Sequence, residues 1–168
     1  MNKIAIYSVN TGNYRNEITK LNKYFRRTKK LDNIDYYFFT DEIGMSSDIW
    51  NIVNIKIMNP IKDRRNNIII DGNRNTAKYI KWNIHSILSD YDMLIWIDNK
   101  CLNLINEIHF EKITNICLNS NKNSIFFWKH PGRRHAIEEI EKTISLKYES
   151  MLYGNKFRKI IENIDFKV

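Results

Sequence analysis

Tyr91-Asp92-Met93-Leu94-Ile95-Trp96-Ile97-Asp98, followed by Asn99, Lys100 and Cys101, is the stretch whose reading decides the fold. An apolar, β-prone run of this length, preceded by Ser89-Asp90 and stopped by Asp-Asn-Lys, is the pattern of a strand buried on both faces of a parallel sheet. In open α/β sheets, ligands bind just beyond the carboxyl ends of the strands. Asp98 stands at that end, and two readings of it are open: a carboxylate facing a ligand, or an Asp that turns the chain after a strand.

Upstream of this strand, Asn73-Arg74-Asn75-Thr76 offers helix-capping side chains. Beyond them Ala77, Ile80, Trp82, Ile84, Ile87 and Leu88 fit a helix of roughly four turns. Lys78, Lys81 and His85 recur at i, i+3 and i+7, so they share one face, with Arg74 one turn earlier. That face is either the solvated side of the helix or a cationic line leading into the strand. Residues 3–9 form a first strand that breaks into the small polar loop Asn10-Thr11-Gly12-Asn13-Tyr14. A loop of this kind lets backbone N–H groups approach phosphates, although the motif is not GxGxxG. A modest amphipathic helix follows over 18–25, then an aromatic-rich strand over 34–40 and an alternating strand over 49–57 closed by Pro60. The stretch 61–72 reads as a basic loop with a short extended piece.

Downstream, 102–116 is helical or irregular. A short strand at 124–128 runs into Lys129-His130-Pro131-Gly132-Arg133-Arg134-His135, a His- and Arg-rich turn. An amphipathic helix over 136–146 and a helical segment over 148–168 complete the chain. Alternating strands and helices predict one α/β domain, residues 1–168, with a mostly parallel, Rossmann-like sheet flanked by helices.

Bulk properties fit that class. The 168 residues are 43% hydrophobic and 12% aromatic, enough for a sizeable core. Five Gly and two Pro give no sign of a flexible linker. A formal net charge of +8 favours an anionic partner: nucleic acid, a phosphorylated cofactor or a membrane surface. Most of the basic residues are spread along the chain as ordinary solvated surface. Cys101 and Cys117 have no metal-like spacing and fit reduced thiols. The opening apolar segment is too short for a signal peptide, and no run approaches membrane-spanning length. The expectation is a soluble, cytoplasmic protein.

Three strand ends thus carry the chemistry: Thr11-Gly12-Asn13, Asp98-Asn99-Lys100 and His130 to Arg133. Oxygen ligands such as Asp98 and Asn99 suit Mg²⁺ or Mn²⁺, and Arg74, Lys78 or Arg133 would contact phosphate, Arg in a bidentate fork. A nucleoside diphosphate-sugar transferase needs such components. GxSxG, Walker-type, HExxH and GxGxxG motifs are all absent, and His109, His130 and His135 show no zinc pattern.

Three motifs in one order carry a resemblance: Arg74-Asn75-Thr76-Ala77-Lys78-Tyr79-Ile80-Lys81 through His85, then Tyr91-Asp92 through Trp96-Ile97-Asp98, then His130-Pro131-Gly132-Arg133 with Glu138-Glu139. Together with Thr11 to Tyr14 and Tyr36 to Asp41, they resemble a glycosyltransferase-like family long catalogued as a domain of unknown function. Its members include plant seed-mucilage and pollen proteins and many bacterial ones. The resemblance covers most of residues 3–145. It implies a GT-A-type fold, a nucleotide-sugar donor, a divalent cation (Mn²⁺ or Mg²⁺) at the end of the central strand, and a glycan, protein or lipid acceptor. Carried over residue by residue, Asp98 holds the metal with Asn99 assisting. Thr11, Gly12, Asn13 and Asp41 line the nucleotide, and Arg74, Lys78, Lys81, His130 and Arg133 the phosphates and sugar. Glu138 or Glu139 is the motif-matched candidate for a catalytic base. Two departures stand out. A DxD pair would put a second acid at position 100, where this chain has Lys100. Either Asp98 binds the metal alone, or Lys100 replaces part of the metal's charge, or activity is lost. The family also continues past the Glu-Glu helix with a segment on the acceptor side, so a domain short at that side is expected. The rival expectation from another class is a non-catalytic module of the same fold, holding RNA or an acidic glycan on its basic face.

Overall fold

The computed structural model describes residues 3–14 and 18–107, and beyond them residues 110, 112, 113, 115, 119, 138, 141 and 145. The chain divides into two compact units, Met1–His109 and Phe110–Val168. The first is an α/β unit. In chain order it holds β1 (Ile4–Asn10), α1 (Ile18–Arg27), β2 (Ile34–Thr40), β3 (Trp50–Asn54), the short β4 (Ile61–Lys62) and β5 (Ile68–Ile70), α2 (Gly72–Ile87), β6 (Met93–Trp96) and a 3-10 helical stretch, Asn99–Glu107. In the second, the described residues 110, 112, 113, 115, 138, 141 and 145 are helical. The strand expected over 124–128, the turn from His130 to Arg133 and the segment 148–168 lie outside the described residues.

Four strands make one parallel sheet in the order β3-β2-β1-β6. The mostly parallel α/β architecture expected from the alternation is therefore present. Side chains alternate across a strand, and the two faces of the sheet are covered differently. Tyr7, Val9 and Phe39 point to the face where α2 buries Ile80 and Ile84, with Leu94 and Trp96 packed at the margin. On the other face Phe25 of α1 meets Phe38 at 4.8 Å and Trp50 at 5.2 Å between ring centroids. Trp50 in turn donates its indole N–H to Thr28 at 3.0 Å.

The strand buried along its whole length is β1, not β6. All seven β1 residues are buried, whereas Met93, Leu94 and Trp96 of β6 are half-buried and Ile95 alone is fully so. Both flanks of β1 are paired, to β2 and β6, while no other described strand pairs with β6. The ladder also stops before the apolar run does. It ends at Trp96, and Ile97 N–H still reaches Tyr7 O at 3.0 Å. At the other end Tyr91 leaves the strand to donate its hydroxyl to Asp35 Oδ2 at 2.6 Å, with Tyr37 Oη 2.8 Å away.

Three further boundaries differ from expectation. β3 ends at Asn54 because its partner β2 ends at Thr40, whose carbonyl takes Ile55 N–H as the last bond. Within the 61–72 stretch, residues 61–70 form a two-stranded antiparallel hairpin with an irregular register, too short for its periodicity to show. The helix begins at Gly72, one residue before the capping cluster 73–76. Its cap is Asp71, whose Oδ1 accepts Arg74 N–H at 2.9 Å. Thr76, instead of capping, accepts Met58 N–H at 2.7 Å and donates to Gly72 O, tying the segment after β3 to the helix.

Tyr7 shows how the core couples to pH. Burial pushes its phenol up to about 12, and its hydroxyl donates to Lys81 O at 2.9 Å. The neutral form is the one folding favours, so this stabilisation is complete below about pH 10, the ordinary tyrosine value. It is lost as pH rises towards 12, because the unfolded chain gives up the proton first. Urea unfolding of the wild type at increasing pH should therefore show a loss approaching about 2–3 kcal/mol above pH 10 from this group. Tyr7→Phe, less stable at neutral pH, should show a shallower alkaline decline.

Candidate functional site

Strand order reverses at β1: β2 and β3 follow on one side, and β6 returns on the other. The crevice beyond the carboxyl ends of β1 and β6 is therefore where an open α/β sheet presents its ligand site. Four hydrogen-bonded links build that edge.

The first link is the loop after β1. Asn10, buried at the end of the strand, accepts Tyr14 N–H on Oδ1 at 3.0 Å and closes the loop on itself. Inside it Gly12 (φ 62°) and Asn13 (φ 46°) are both left-handed, a conformation glycine adopts without penalty. A Cβ on Gly12 would run into Asn73 Nδ2 and lie 2.7 Å from Asn73 Cγ. The second link is Gly12 N–H to Asp41 Oδ1 at 2.8 Å, which brings the residue after β2 onto the loop. The third is Thr11, which donates to Asn73 O at 2.9 Å in the first turn of α2.

The fourth link joins β1 to β6. Asn99 Nδ2 donates to Val9 O at 3.0 Å. Ser8 Oγ lies 2.8 Å from Asn99 Oδ1 and 2.6 Å from Ile97 O, its single hydroxyl proton shared between the two. Both ends of the Asn99 amide thus hold the strand ends together. Asn99→Ala removes the side-chain donor to Val9 O in a part-buried setting, while Ser8 keeps Ile97 O as its acceptor. It should destabilise the unit by about 1–3 kcal/mol in urea unfolding followed by circular dichroism.

Asp98 sits one residue earlier and is exposed. Its main chain does turn, since Asp98 O accepts Cys101 N–H at 2.8 Å. Its carboxylate, however, reaches back to Trp96: Oδ1 accepts the indole N–H at 3.0 Å. Trp96 is itself held edge-on by Tyr7 at 5.3 Å and carries the Lys81 ammonium 4.9 Å from its ring centroid. A cation over an indole face is held by the ring quadrupole. The indole therefore bridges a carboxylate at its rim and an ammonium over its face. Arg74 and Lys78 are half-buried on α2, and Lys100 is exposed in the first turn of the 3-10 stretch.

Of the expected site residues, Gly12 and Asp41 are bonded to each other, Thr11 to Asn73 and Asn99 to Ser8 and Val9, while Asn13 lies in the Gly12 loop and Asp98 adjoins Asn99. Glu138 is exposed and helical in the second unit. His130, Arg133 and Glu139 lie outside the described residues. Three participants escaped the sequence reading. Asn73 acts as a wall against Gly12 instead of a cap. Ser8 was legible as a lone hydroxyl in an otherwise apolar strand. Trp96 was legible by its i, i+2 relation to Asp98, which puts both on one side of an extended chain.

No group of three or more His, Cys, Asp or Glu side chains gathers among the described residues. A depression lined by Asn22, Arg26, Glu42, Ile43, Gly44, Met45 and Ser46 involves none of the site residues. No helix among the described residues is long and apolar enough to cross a membrane. Comparisons of the chain with protein-family models, with curated proteins and with solved structures return no match.

Proposed function

We propose that the chain is a glycosyltransferase of GT-A type that takes a sugar from a nucleoside diphosphate donor. The observation that carries this reading is that the Gly12–Asp41 and Thr11–Asn73 bonds and the Asn99 bonds to Ser8 and Val9 all lie at the carboxyl ends of the strands where their order reverses, with Asp98 exposed beside Asn99. The three-motif resemblance to the glycosyltransferase-like family supports it independently of that geometry. On this reading the Gly12 loop and Asp41 receive the nucleoside. Arg74, Lys78 and Lys81 on α2 receive the diphosphate and sugar, a role the resemblance also assigns to His130 and Arg133.

The donor set at this edge fits a divalent cation held lightly. Asp98 offers an exposed carboxylate with one oxygen engaged by Trp96, and hard cations such as Mg²⁺ are commonly held by one or two carboxylates plus substrate phosphates and water. A closed all-protein cage does not fit, because the Asn99 amide is engaged at both ends and position 100 is Lys. The cation would neutralise charge developing on the diphosphate leaving group. Trp96 orients the Asp98 carboxylate, and Lys100 adds positive charge where a second acid would otherwise be. Glu138 or Glu139 is the base the resemblance assigns.

Titration of UDP- and GDP-sugars with and without Mn²⁺, followed by calorimetry, tests the reading. Binding that needs the metal supports it, and indifference to nucleotide sugars under both conditions sinks it. A second reading is favoured by Lys100 and the net charge: a non-catalytic module that holds RNA or an acidic glycan. It requires oligonucleotide or acidic-glycan binding with steep salt dependence and no metal requirement.

A further inference from the structure

The segment 57–70 exposes more aliphatic surface than a solvated loop has reason to. Ile57 and Met58 are each 38% exposed, Ile61 37% and Ile68 61%. Clusters of exposed apolar side chains rimmed by charge mark contact surfaces. The rim here is cationic: Lys62, Arg64 and Arg65 are all exposed in the same segment.

The hairpin is built to present these groups. Asp63 N–H bonds to Asn67 O at 2.9 Å and Asn66 N–H to Asp63 O at 3.0 Å, with Asn66 left-handed at φ 64°. The segment's one acid is turned onto its own backbone. Asp63 Oδ1 accepts Arg65 N–H and Asn67 N–H at 2.8 Å each, and Oδ2 accepts Asn67 Nδ2 at 2.9 Å. These bonds, the Asn67 side chain first among them, hold its carboxyl below the usual range. Arg64 and Arg65 therefore occupy the tip of a fixed turn. Across the ladder Lys62 pairs with Ile68, so an ammonium and the most exposed isoleucine of the segment share one face, while Ile61 and its partner Ile70 lie on the other.

We propose that this hairpin docks on an anionic lipid bilayer surface, with Ile68 entering the headgroup boundary and Lys62, Arg64 and Arg65 meeting lipid phosphates. Peripheral membrane binding combines apolar insertion with attraction of basic residues to anionic headgroups. The chemistry of the patch separates this occupant from nucleic acid. Single-stranded nucleic acid is held by aromatic stacking platforms, and the exposed apolar side chains of the hairpin are aliphatic. The inference stands apart from sugar transfer, since none of these residues belongs to the site at β1 and β6.

Sedimentation of the full chain with vesicles tests it, using phosphatidylcholine alone and phosphatidylcholine with phosphatidylglycerol in equal parts. Binding to the anionic vesicles only, weakening with salt, is expected. Arg64→Glu/Arg65→Glu, on an exposed turn, should lower partitioning by roughly tenfold or more, since each basic residue near the surface is worth about a factor of five. Ile68→Ser should weaken binding at unchanged salt dependence. Lys29→Glu/Lys30→Glu is the control of equal charge and should leave more binding than the hairpin double variant. The proposal is overturned if anionic vesicles fail to sediment the protein. It is also overturned if the control weakens binding as much as Arg64→Glu/Arg65→Glu, or if an RNA oligonucleotide is bound and vesicles are not.

Discussion

In Asp98→Ala, affinity for a UDP- or GDP-sugar in the presence of Mn²⁺ is expected to fall by about a hundredfold or more, roughly 2.7 kcal/mol. In excess EDTA, wild type and variant should bind alike and weakly. The size follows from removing the carboxylate that would hold the cation against a diphosphate, where a lost charge interaction is not recovered from water. Trp96→Phe sharpens the experiment. It keeps an aromatic ring beside Tyr7 and beneath Lys81 but deletes the N–H that holds Asp98 Oδ1 at 3.0 Å. Loss of an orienting partner typically costs about 10–100-fold in metal affinity, so the variant should fall between wild type and Asp98→Ala. Equal metal-dependent affinity in wild type and Asp98→Ala would remove Asp98 from the site and, with it, the metal assignment.

Gly72→Ala should be the most destabilising single methyl added to the first unit. A Cβ there would press on the carbonyl oxygen of Met58, far inside van der Waals contact, and lie 2.9 Å from Ile57 Cγ2. Met58 cannot step aside cheaply, because its N–H is fixed to Thr76 Oγ1 at 2.7 Å and Thr76 itself bonds to Gly72 O. Overpacking of this kind costs about 1–3 kcal/mol and sometimes more. The upper end is expected here, about 3 kcal/mol, which for a unit of this size lowers Tm by roughly 12–20 °C. Gly12→Ala makes an instructive comparison. The obstacle there is the end of the Asn73 side chain, which can rotate away, so the left-handed φ of 62° sets the cost at about 1–2 kcal/mol. Differential scanning calorimetry should rank Gly72→Ala below Gly12→Ala. The reverse order would mean that the 57–58 segment yields more readily than its hydrogen bonds imply.

Asp98 and the Gly12 loop were legible as strand-end residues, because a carboxylate closing an apolar run and a small polar break after a first strand are local patterns. That their strand ends lie side by side was not legible. It depends on β6 lying beside β1, and nothing in the composition of either strand names its neighbour. Asp71 illustrates the same limit on a smaller scale. Asn73, Asn75 and Thr76 were capping residues as plausible by type, but Gly72 packs on Met58 and Thr76 is taken by that residue's N–H, so the helix starts earlier, capped at Asp71. The β4–β5 hairpin was hidden for a simpler reason: strands of two and three residues carry no readable period.

By itself the sequence determined that segments near 3–9, 34–40, 49–57 and 91–98 are strands, that a helix precedes the last of them, and that an acid stands just before position 99. Those properties follow from alternation and run length, which act over a few residues. Strand order, the complete burial of β1 and the Thr11–Asn73, Gly12–Asp41 and Asn99–Val9 bonds were decided only in the tertiary structure. Each depends on helices crossing the sheet to cover its two faces. Several strand orders would satisfy the same local pattern, and only packing of the whole unit selects one.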